Sequence, residues 1–255
     1  MATNITHLLG PVGLQVLVLV CIAFVTWEVL GLLEKKDKKK EAPTAPPAPR
    51  EVSSEVLMAL IKKRRSIFPR DYNGEAPPRE AIDQMLEAAN WAPTHGKTEP
   101  WRFVVLSGAA LERFHGVCFA AMREVLGDGS DKFLAYEKKQ ASKTRDKANV
   151  SYLIAICMKR KANPEKVMPE WEEVAATSCA VQNMHLMATA LGVAAYWSSG
   201  GPLDHPTVIG HLGLDGADGD RCLGLFHVGS ADPAKVAGYR ARRGDIAEKV
   251  HFLDE

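Results

Sequence analysis

Cysteine is scarce in this chain, and the few cysteines that occur form no familiar motif. The five positions are Cys21, Cys118, Cys157, Cys179 and Cys222. Because no two of them have the C-x-x-C spacing, the sequence argues against a thiolate metal site and against a redox pair. An odd and widely spread set of thiols is typical of a protein in a reducing compartment.

The chain also lacks an excess of either charge, and it lacks the common sequence motifs for nucleotide binding, metal binding and hydrolysis. The 255 residues include 32 basic and 31 acidic side chains, so the chain has no overall basic field for nucleic acid. No G-x-G-x-x-G or P-loop sequence follows a predicted strand, which disfavours those nucleotide sites. H-E-x-x-H and G-x-S-x-G are absent as well. With 46% hydrophobic and 25% charged residues, the composition is that of a folded globular protein.

One long apolar run stands near the start of the sequence. Residues 11–33 include only three clearly polar members, Gln15, Thr26 and Glu28. Because about 20 helical residues cross a hydrocarbon core of roughly 30 Å, we predict a single transmembrane helix over 11–33. A cleaved signal peptide would need a basic first region, and residues 1–7 contain no lysine or arginine. A buried core helix is the other alternative, but the run leads into a charged block.

A basic block and a proline-rich stretch follow this run. Residues 34–40 contain five lysines, and residues 41–50 contain four prolines. The positive-inside tendency places the lysines, and the domain after them, on the cytoplasmic side of a membrane. The prolines predict a semi-extended spacer. We therefore expect a short tail over 1–10, the membrane helix, a linker over 34–50 and one folded domain over 51–255.

Hydrophobic periodicity in the domain predicts interspersed helices and strands. Ser53 and Ser54 are candidate N-caps of a first helix, and Pro78 opens a second. The charged stretch 131–147 is expected to be an exposed helix or a mobile lid. Further helices are predicted over 111–126, 171–191 and 206–212, and strands over 102–106, 151–158, 194–197 and 222–228. This order is typical of a layered α/β domain.

Four segments offer side chains suited to a ligand, and each also has an ordinary structural explanation. Residues 64–66 (RRS) supply donors for a phosphate, or they are a solvated helix end. Residues 90–101 supply an imidazole, an ammonium and two indoles in a loop, although such tryptophans commonly pack in a core. Residues 197–201 (WSSGG) form a glycine-rich turn with free N–H groups, or an ordinary turn. Residues 240–243 carry three arginines, which a solvated charge run would also explain.

In this order, the segments resemble the signatures of the flavin-dependent nitroreductase family, and of its small bacterial branch in particular. Residues 64–68 (RRSIF) resemble the family's phosphate segment, and residues 92–101 (APTHGKTEPW) its second signature. Residues 192–200, which end in WSSG, resemble the third signature, and residues 224–229 (GLFHVG) resemble the last strand. The likeness extends over residues 52–252, nearly the whole predicted domain.

The resemblance implies an FMN-binding homodimer with an α/β, or α+β, fold. The expected architecture is a three-layer sandwich in which a mixed sheet is flanked by helices. Each FMN would lie at the dimer interface, where the helix over 171–191 would pack. The implied activity passes electrons from NADH or NADPH to a small acceptor such as a nitroaromatic or a quinone. No metal site is expected.

The resemblance places phosphate-binding residues at two distant points of the chain. Arg64, Arg65 and Ser66 would hold the phosphate and ribityl end of FMN. Arg243, together with Arg240, would reach the same phosphate from the tail. One shared phosphate would explain why arginines are grouped at both points.

Other residues are expected around the flavin ring and the nicotinamide. The set that would line or contact the flavin ring is Trp91, His95, Trp197, Ser198 and Ser199. The nicotinamide site is expected beside Met187, Ala188, Thr189, Ala190, Leu191 and Gly192. His95 is also a candidate proton donor.

Two positions depart from the family's pattern. Many members have a basic residue two places after the serine, where this chain has Phe68, and Arg70 is the expected substitute. Many also have Asn-Ser-Gln before Pro-Trp, where this chain has Lys97-Thr98-Glu99. Lys97 is therefore expected to bind beside the flavin and stabilise the negative charge of its reduced form.

Two rival functions are compatible with parts of this pattern. One is a reductive dehalogenase of the iodotyrosine deiodinase type, which is also a nitroreductase-fold protein behind an N-terminal anchor. That family's lid has a glutamate four residues before a tyrosine, and here Lys132 occupies that place before Tyr136. The other rival is a non-catalytic flavin-binding module at a membrane, which would hold flavin without oxidising NAD(P)H.

Overall fold

The computed structural model of the protein describes residues 53–160 and 165–253. The predicted tail (1–10), transmembrane helix (11–33) and linker (34–50) lie outside the described residues. None of the helices within the described ranges is long and apolar enough to span a membrane.

Four strands form one sheet in the described part of the chain. They are β1 (Trp101–Leu106), β2 (Tyr152–Met158), β3 (Ala194–Ser198) and β4 (Arg221–Gly229), in the spatial order β1-β2-β4-β3. Each lies within one residue of its predicted ends. Every neighbouring pair is antiparallel, so the prediction of a mixed sheet is wrong for these strands. Strands β1 and β4 run in the same direction, and so do β2 and β3, but neither pair is adjacent in the sheet.

Eight α-helices accompany the sheet within the described residues. In chain order they are α1 (Ser54–Lys63), α2 (Arg79–Asn90), α3 (Gly108–Leu126), α4 (Asp131–Ser142), α5 (Thr144–Ala148), α6 (Glu170–Ala190), α7 (Pro206–His211) and α8 (Pro233–Val236). Short 3-10 turns occur at Pro69–Asp71, His95–Lys97, Gly216–Asp218 and Ala247–Lys249. The first helix begins where predicted, because the Ser53 hydroxyl accepts a hydrogen bond from the Val56 N–H at 3.3 Å.

Alternating side chains give each face of the sheet its own core. On one face, Leu153, Ala155 and Cys157 of β2 pack with α3 and α7. On the other face, Ile154 and Ile156 of the same strand pack with α2 and α6. Successive strand residues point to opposite faces, so a strand covered on both sides needs an uninterrupted apolar sequence. Helices therefore flank the sheet on both sides, as a three-layer sandwich requires.

The charged stretch 131–147 folds as helices α4 and α5, which confirms the helical alternative. The Ser130 hydroxyl caps α4 by accepting a hydrogen bond from the Phe133 N–H at 3.1 Å. Phe133 is buried, and its ring centroid lies 5.4 Å from that of Phe119 on α3. This aromatic contact holds α4 against the domain, while its charged residues remain exposed.

Candidate functional site

The segment Arg64–Ser66 is fixed between the edge strand β3 and helix α6. The chain leaves α1 in an extended conformation at Arg64, and three residues later the Ile67 N–H donates to the Ala195 carbonyl of β3 at 2.9 Å. From α6, the His185 Nε2–H donates to the Arg65 carbonyl at 2.8 Å. These two bonds position a strongly basic segment at the edge of the sheet.

Arginine side chains from both ends of the domain meet at this segment. Burial, and then the positive charges of Arg243 and Arg65, lower the pKa of the Arg64 guanidinium. The positive charge of Arg243, in the tail, therefore acts on Arg64. None of the three forms an ion pair with an acidic side chain of residues 53–160 or 165–253. Guanidiniums gathered without counter-charges form a site for an anion, and for a phosphate in particular.

Two of the predicted phosphate arginines also have structural partners. Arg65 Nη1 donates to the carbonyls of Lys62 and Arg64, the latter at 2.7 Å, so this side chain also caps α1. Its buried Nε has no hydrogen-bond partner among the residues that the structure describes. Arg240 is exposed, and its Nη1 donates to the carbonyl of Tyr239 at 3.2 Å. The predicted helix-end explanation thus holds in part for Arg65.

Strand β3 ends in the predicted third segment. The Trp197 indole lies against Gly224 of β4, where a Cβ atom would stand 2.1 Å from the indole Nε1. That Nε1 is buried and has no partner in the described part of the chain. Ser198 Oγ lies 2.9 Å from Nε2 of His227 on β4. Burial, reinforced by nearby positive charges, lowers the pKa of His227 to about 4, so Nε2 of a neutral imidazole can accept the hydroxyl proton.

A cavity of about 940 Å³ opens beside Ser198 and Ser199 on the face of the sheet that α3 covers. Its aromatic lining residues are Phe68, Phe114, Phe119, Tyr136 and Tyr196. Its basic lining residues are Arg70, Lys139, Lys143 and Lys147, and Asp146 is an acidic one. The three lysines form no ion pair with any described acidic side chain. The cavity therefore suits a flat, anionic molecule.

Sequence reasoning missed most of these lining residues. The lysines recur at 139, 143 and 147, and a spacing of four predicts one basic helix face. Burial, and then the charge of Lys143, lower the pKa of Lys147, so the positive charges of this face repel one another. His115, Tyr196 and His227 have no comparable pattern, because they meet only when α3, β3 and β4 pack together.

The second predicted segment does not line this cavity. Trp91 is 79% exposed, and its Nε1 donates to Glu87 at 2.9 Å, so the core explanation fails for this tryptophan. His95 Nδ1 lies 2.6 Å from a carboxylate oxygen of Glu172 on α6. Lys97 is exposed and has a left-handed φ of 56°. The loop thus presents an indole, an imidazole and an ammonium at the surface.

The predicted nicotinamide segment, residues 187–192, forms the last turn of α6 and the turn into β3. Ala188 is buried, whereas Leu191 is 37% exposed. The Leu191 N–H donates to the Met187 carbonyl at 3.0 Å, and the Val193 N–H donates to the Ala188 carbonyl at 2.8 Å. Thr189 Oγ1 donates to the His185 carbonyl at 2.9 Å, so this hydroxyl is already used within the helix.

Known proteins share this domain. The model of the Nitroreductase family matches residues 61–230. YfhC, a candidate NAD(P)H nitroreductase of Bacillus subtilis, is 31% identical over 179 residues, which are 70% of this chain and 86% of that protein. The crystal structure of a nitroreductase-like family protein from Bacillus cereus aligns with 81% of this chain and 100% of its own, with a TM-score of 0.64 and 24% identity. A candidate nitroreductase of Desulfovibrio desulfuricans in complex with FMN aligns with 78% of this chain and 97% of its own, with a TM-score of 0.56 and 25% identity.

A shorter likeness concerns the rival dehalogenase. Rat iodotyrosine deiodinase 1 is 45% identical over 53 residues, which are 21% of this chain and 18% of that protein. The nitroreductase match is far longer, because the family model alone covers two thirds of the sequence. The chain belongs to the Nitroreductase family.

Proposed function

We propose that the protein is an FMN-dependent oxidoreductase that passes electrons from NAD(P)H to a small acceptor such as a nitroaromatic or a quinone. The observation that carries this proposal is that the positive charges of Arg243 and Arg65 both act on Arg64, while none of the three has an acidic partner among the described residues. A phosphate monoester carries the double negative charge that such a group needs. The names of the B. subtilis and D. desulfuricans relatives support NAD(P)H and FMN as the remaining components.

The residues at this edge of the sheet fit FMN. Arg64, Arg65, Ser66 and Arg243 would hold the phosphate and ribityl end, and Arg240 is within the same tail. Trp197, Ser198 and Ser199 would contact the ring, where the unpartnered indole Nε1 and the backbone after β3 offer donors. When bound, FMN supplies the electron and hydride chemistry, while the protein supplies binding, orientation and electrostatics.

The second segment is proposed to act across a homodimer interface. Helix α1 exposes four large apolar side chains, which a partner surface would cover: Val56, Leu57, Met58 and Ile61. A second copy would bring its Trp91, His95 and Lys97 to the flavin of the first. Residues 187–192, from Met187 to Gly192, are proposed to border the nicotinamide.

His95 is proposed to manage a proton at this site. Its Nδ1–H donates to the Glu172 carboxylate at 2.6 Å, which fixes the tautomer and directs Nε2 away from that carboxylate. Nε2 is then the atom that accepts a proton from water or, once protonated, donates it to the reduced acceptor. Lys97 would place a positive charge in the same loop.

The cavity beside Ser198 is proposed to receive the acceptor. Its aromatic lining offers stacking surfaces, and Lys139, Lys143 and Lys147 favour acceptors with a negative group. A nitrobenzoate combines both features. Tyr136 also lines this cavity, but a lysine stands where a deiodinase-type lid needs its glutamate, which favours the oxidoreductase over the dehalogenase.

The domain is further proposed to be tethered to a membrane, with the domain on the cytoplasmic side. This proposal depends on the sequence of residues 11–33 and on the lysines of 34–40. Cell fractionation tests it. The full chain should remain with the membranes after carbonate washing, and a variant lacking residues 1–50 should not, whereas full chain in the soluble fraction would refute the tether.

The catalytic proposal is tested on the purified full chain. We expect flavin absorption bands, release of FMN on denaturation, and oxidation of NADH or NADPH that depends on a nitroaromatic or a quinone. Colourless protein that does not take up FMN would refute it. Protein that holds flavin but does not oxidise NAD(P)H would favour the membrane binding module, and turnover restricted to iodotyrosine would favour the dehalogenase.

A further inference from the structure

Three cysteines that are distant in the sequence meet in one core. Cys157 of β2 is a fully buried member of the core on the α3 face, and Cys118 of α3 and Cys222 of β4 pack against it. Both Cys118 and Cys222 are partly exposed. All three thiols are free, as is Cys179 on α6, which lies on the opposite layer of the domain. The proposed electron transfer uses none of them.

The backbone register aligns two of these thiols across neighbouring strands. Cys157 and Cys222 are direct partners in the antiparallel pair β2–β4. The register shifts at this point, so that Ile156 pairs with Gly224 and the intervening Leu223 has no partner on β2. Direct antiparallel partners have Cα atoms about 4.5–5.5 Å apart, which lies within the span of about 4.4–6.8 Å that a disulfide bridges.

The two sulfurs lie in the same core, and each donates to a backbone carbonyl of its own strand, Cys157 to Ala155 at 3.7 Å and Cys222 to Gly224 at 3.5 Å. Interaction with the Cys222 thiol, together with burial, raises the pKa of Cys157. Interaction with Cys157 lowers the pKa of Cys222. The two thiols therefore differ in the way an oxidisable pair requires, because the more acidic sulfur, on the partly exposed residue, is the better site of first attack.

We propose that Cys157 and Cys222 form a reversible cross-strand disulfide when the protein meets a peroxide. The Cys222 thiolate attacks the peroxide O–O bond and becomes a sulfenic acid, and the other oxygen leaves as water. The Cys157 sulfur then attacks the Cys222 sulfur, the S–O bond breaks, and the second oxygen leaves as water. The thiols lose two electrons and two protons, and one hydrogen peroxide becomes two waters.

No sequence motif identifies this pair, because its two cysteines are neighbours through strand pairing and not through their spacing in the sequence. In a reducing compartment the bond would be transient, since glutathione and dithiol proteins such as thioredoxin reduce it. Burial, and then the charge of the Cys222 thiolate, raise the pKa of Cys118 to about 12, and Cys118 also lines the cavity. It is the competing partner that the test must separate.

Peptide mapping of oxidised protein tests the proposal. The full chain carrying Cys21→Ser and Cys179→Ser is treated with hydrogen peroxide, blocked with N-ethylmaleimide and digested without reduction. We expect a cross-linked peptide joining Cys157 to Cys222, which dithiothreitol separates. Closing the long loop between them should also raise the Tm by roughly 5–10 °C, and dithiothreitol should reverse this rise.

Single variants distinguish the possible pairings. Cys118→Ser should still form the cross-link, whereas Cys222→Ser should leave Cys157 unoxidised. A cross-link between Cys118 and Cys222, or Cys222 oxidised to sulfinic acid without any cross-link, would overturn the proposal. Peptide mapping of the protein that carries only Cys21→Ser and Cys179→Ser can itself show each of these contrary results. The test therefore does not depend on the folding of the Cys222→Ser variant.

Discussion

Lowering the pH is expected to destabilise the domain through His185, whose imidazole binds the backbone of the Arg64–Ser66 segment, called the arginine segment below. The ring is 6% exposed, meets Phe226 edge-on at 5.2 Å, and donates from Nε2 to the Arg65 carbonyl at 2.8 Å. Burial and the positive charge of Arg64 lower its pKa to about 4. The unfolded chain, with an ordinary histidine pKa of about 6.5, therefore binds a proton more readily than the folded domain does.

The sign and size of this effect follow from that difference. The contribution of His185 is fully present above about pH 6.5 and is lost as the pH falls from there towards 4. At pH 5 the loss is about 2 kcal/mol in the free energy of unfolding. Protonation would also place a cation beside Arg64, so the arginine segment should loosen with the fold.

Urea unfolding at pH 7.5 and at pH 5 measures this contribution. His185→Gln retains an N–H donor but has no proton to gain, and the other histidines titrate in both proteins. The stability gap between the native chain and the variant should narrow by about 2 kcal/mol at the lower pH. A gap that is the same at both pH values would refute the assignment of the lowered pKa to His185.

Three substitutions test other parts of the structure. Gly224→Ala should cost about 1–3 kcal/mol of unfolding free energy and weaken flavin retention, because the new Cβ would meet the neighbouring indole at 2.1 Å. Lys139→Gln should raise the KM for 4-nitrobenzoate roughly 2–5-fold but not that for neutral 4-nitrobenzyl alcohol, while Lys138→Gln, outside the cavity, should change neither. Arg160→Met should lower the free energy of unfolding, measured in urea, by about 3–5 kcal/mol. The reason is that it removes the partner, at 2.8 Å, of the buried Glu173 carboxylate. Adding Glu173→Gln, which removes the unpaired charge, should recover part of that loss.

Local patterns predicted the elements of the domain well. The strands lie within one residue of their predicted ends, because β2 and its neighbours combine apolar side chains with turn residues at both ends. Helix α6 was recognisable from its length and its lack of charge after Glu173. Strand order is a different matter, since whether neighbours are parallel depends on how connections cross the sheet. The mixed sheet was expected only from the family resemblance, and the described strands contradict it.

The pairing of Arg64 with Arg243 was expected only from the family resemblance, because the two residues lie at opposite ends of the domain sequence. The charge of Arg243 does act on Arg64, and the shared phosphate stays a prediction. The cavity was not predictable from the sequence, since its lysines at 139, 143 and 147 lie in a charged stretch that was expected to be an exposed helix or a mobile lid. Sequence spacing does not reveal that Cys157 and Cys222 are neighbours, because the register of two strands is known only once the sheet is described.

The central claim is that guanidiniums from both ends of the domain hold one phosphate, and FMN titration tests it most directly. The dissociation constant of the stripped protein for FMN is measured by flavin fluorescence, with riboflavin, which lacks the phosphate, as the matched ligand. Arg64→Gln and Arg243→Gln should each weaken FMN binding roughly 10–100-fold and leave riboflavin binding unchanged, whereas Arg242→Gln should alter neither. Equal losses for FMN and riboflavin, or variants that bind FMN as tightly as the Arg242 control, would contradict the account.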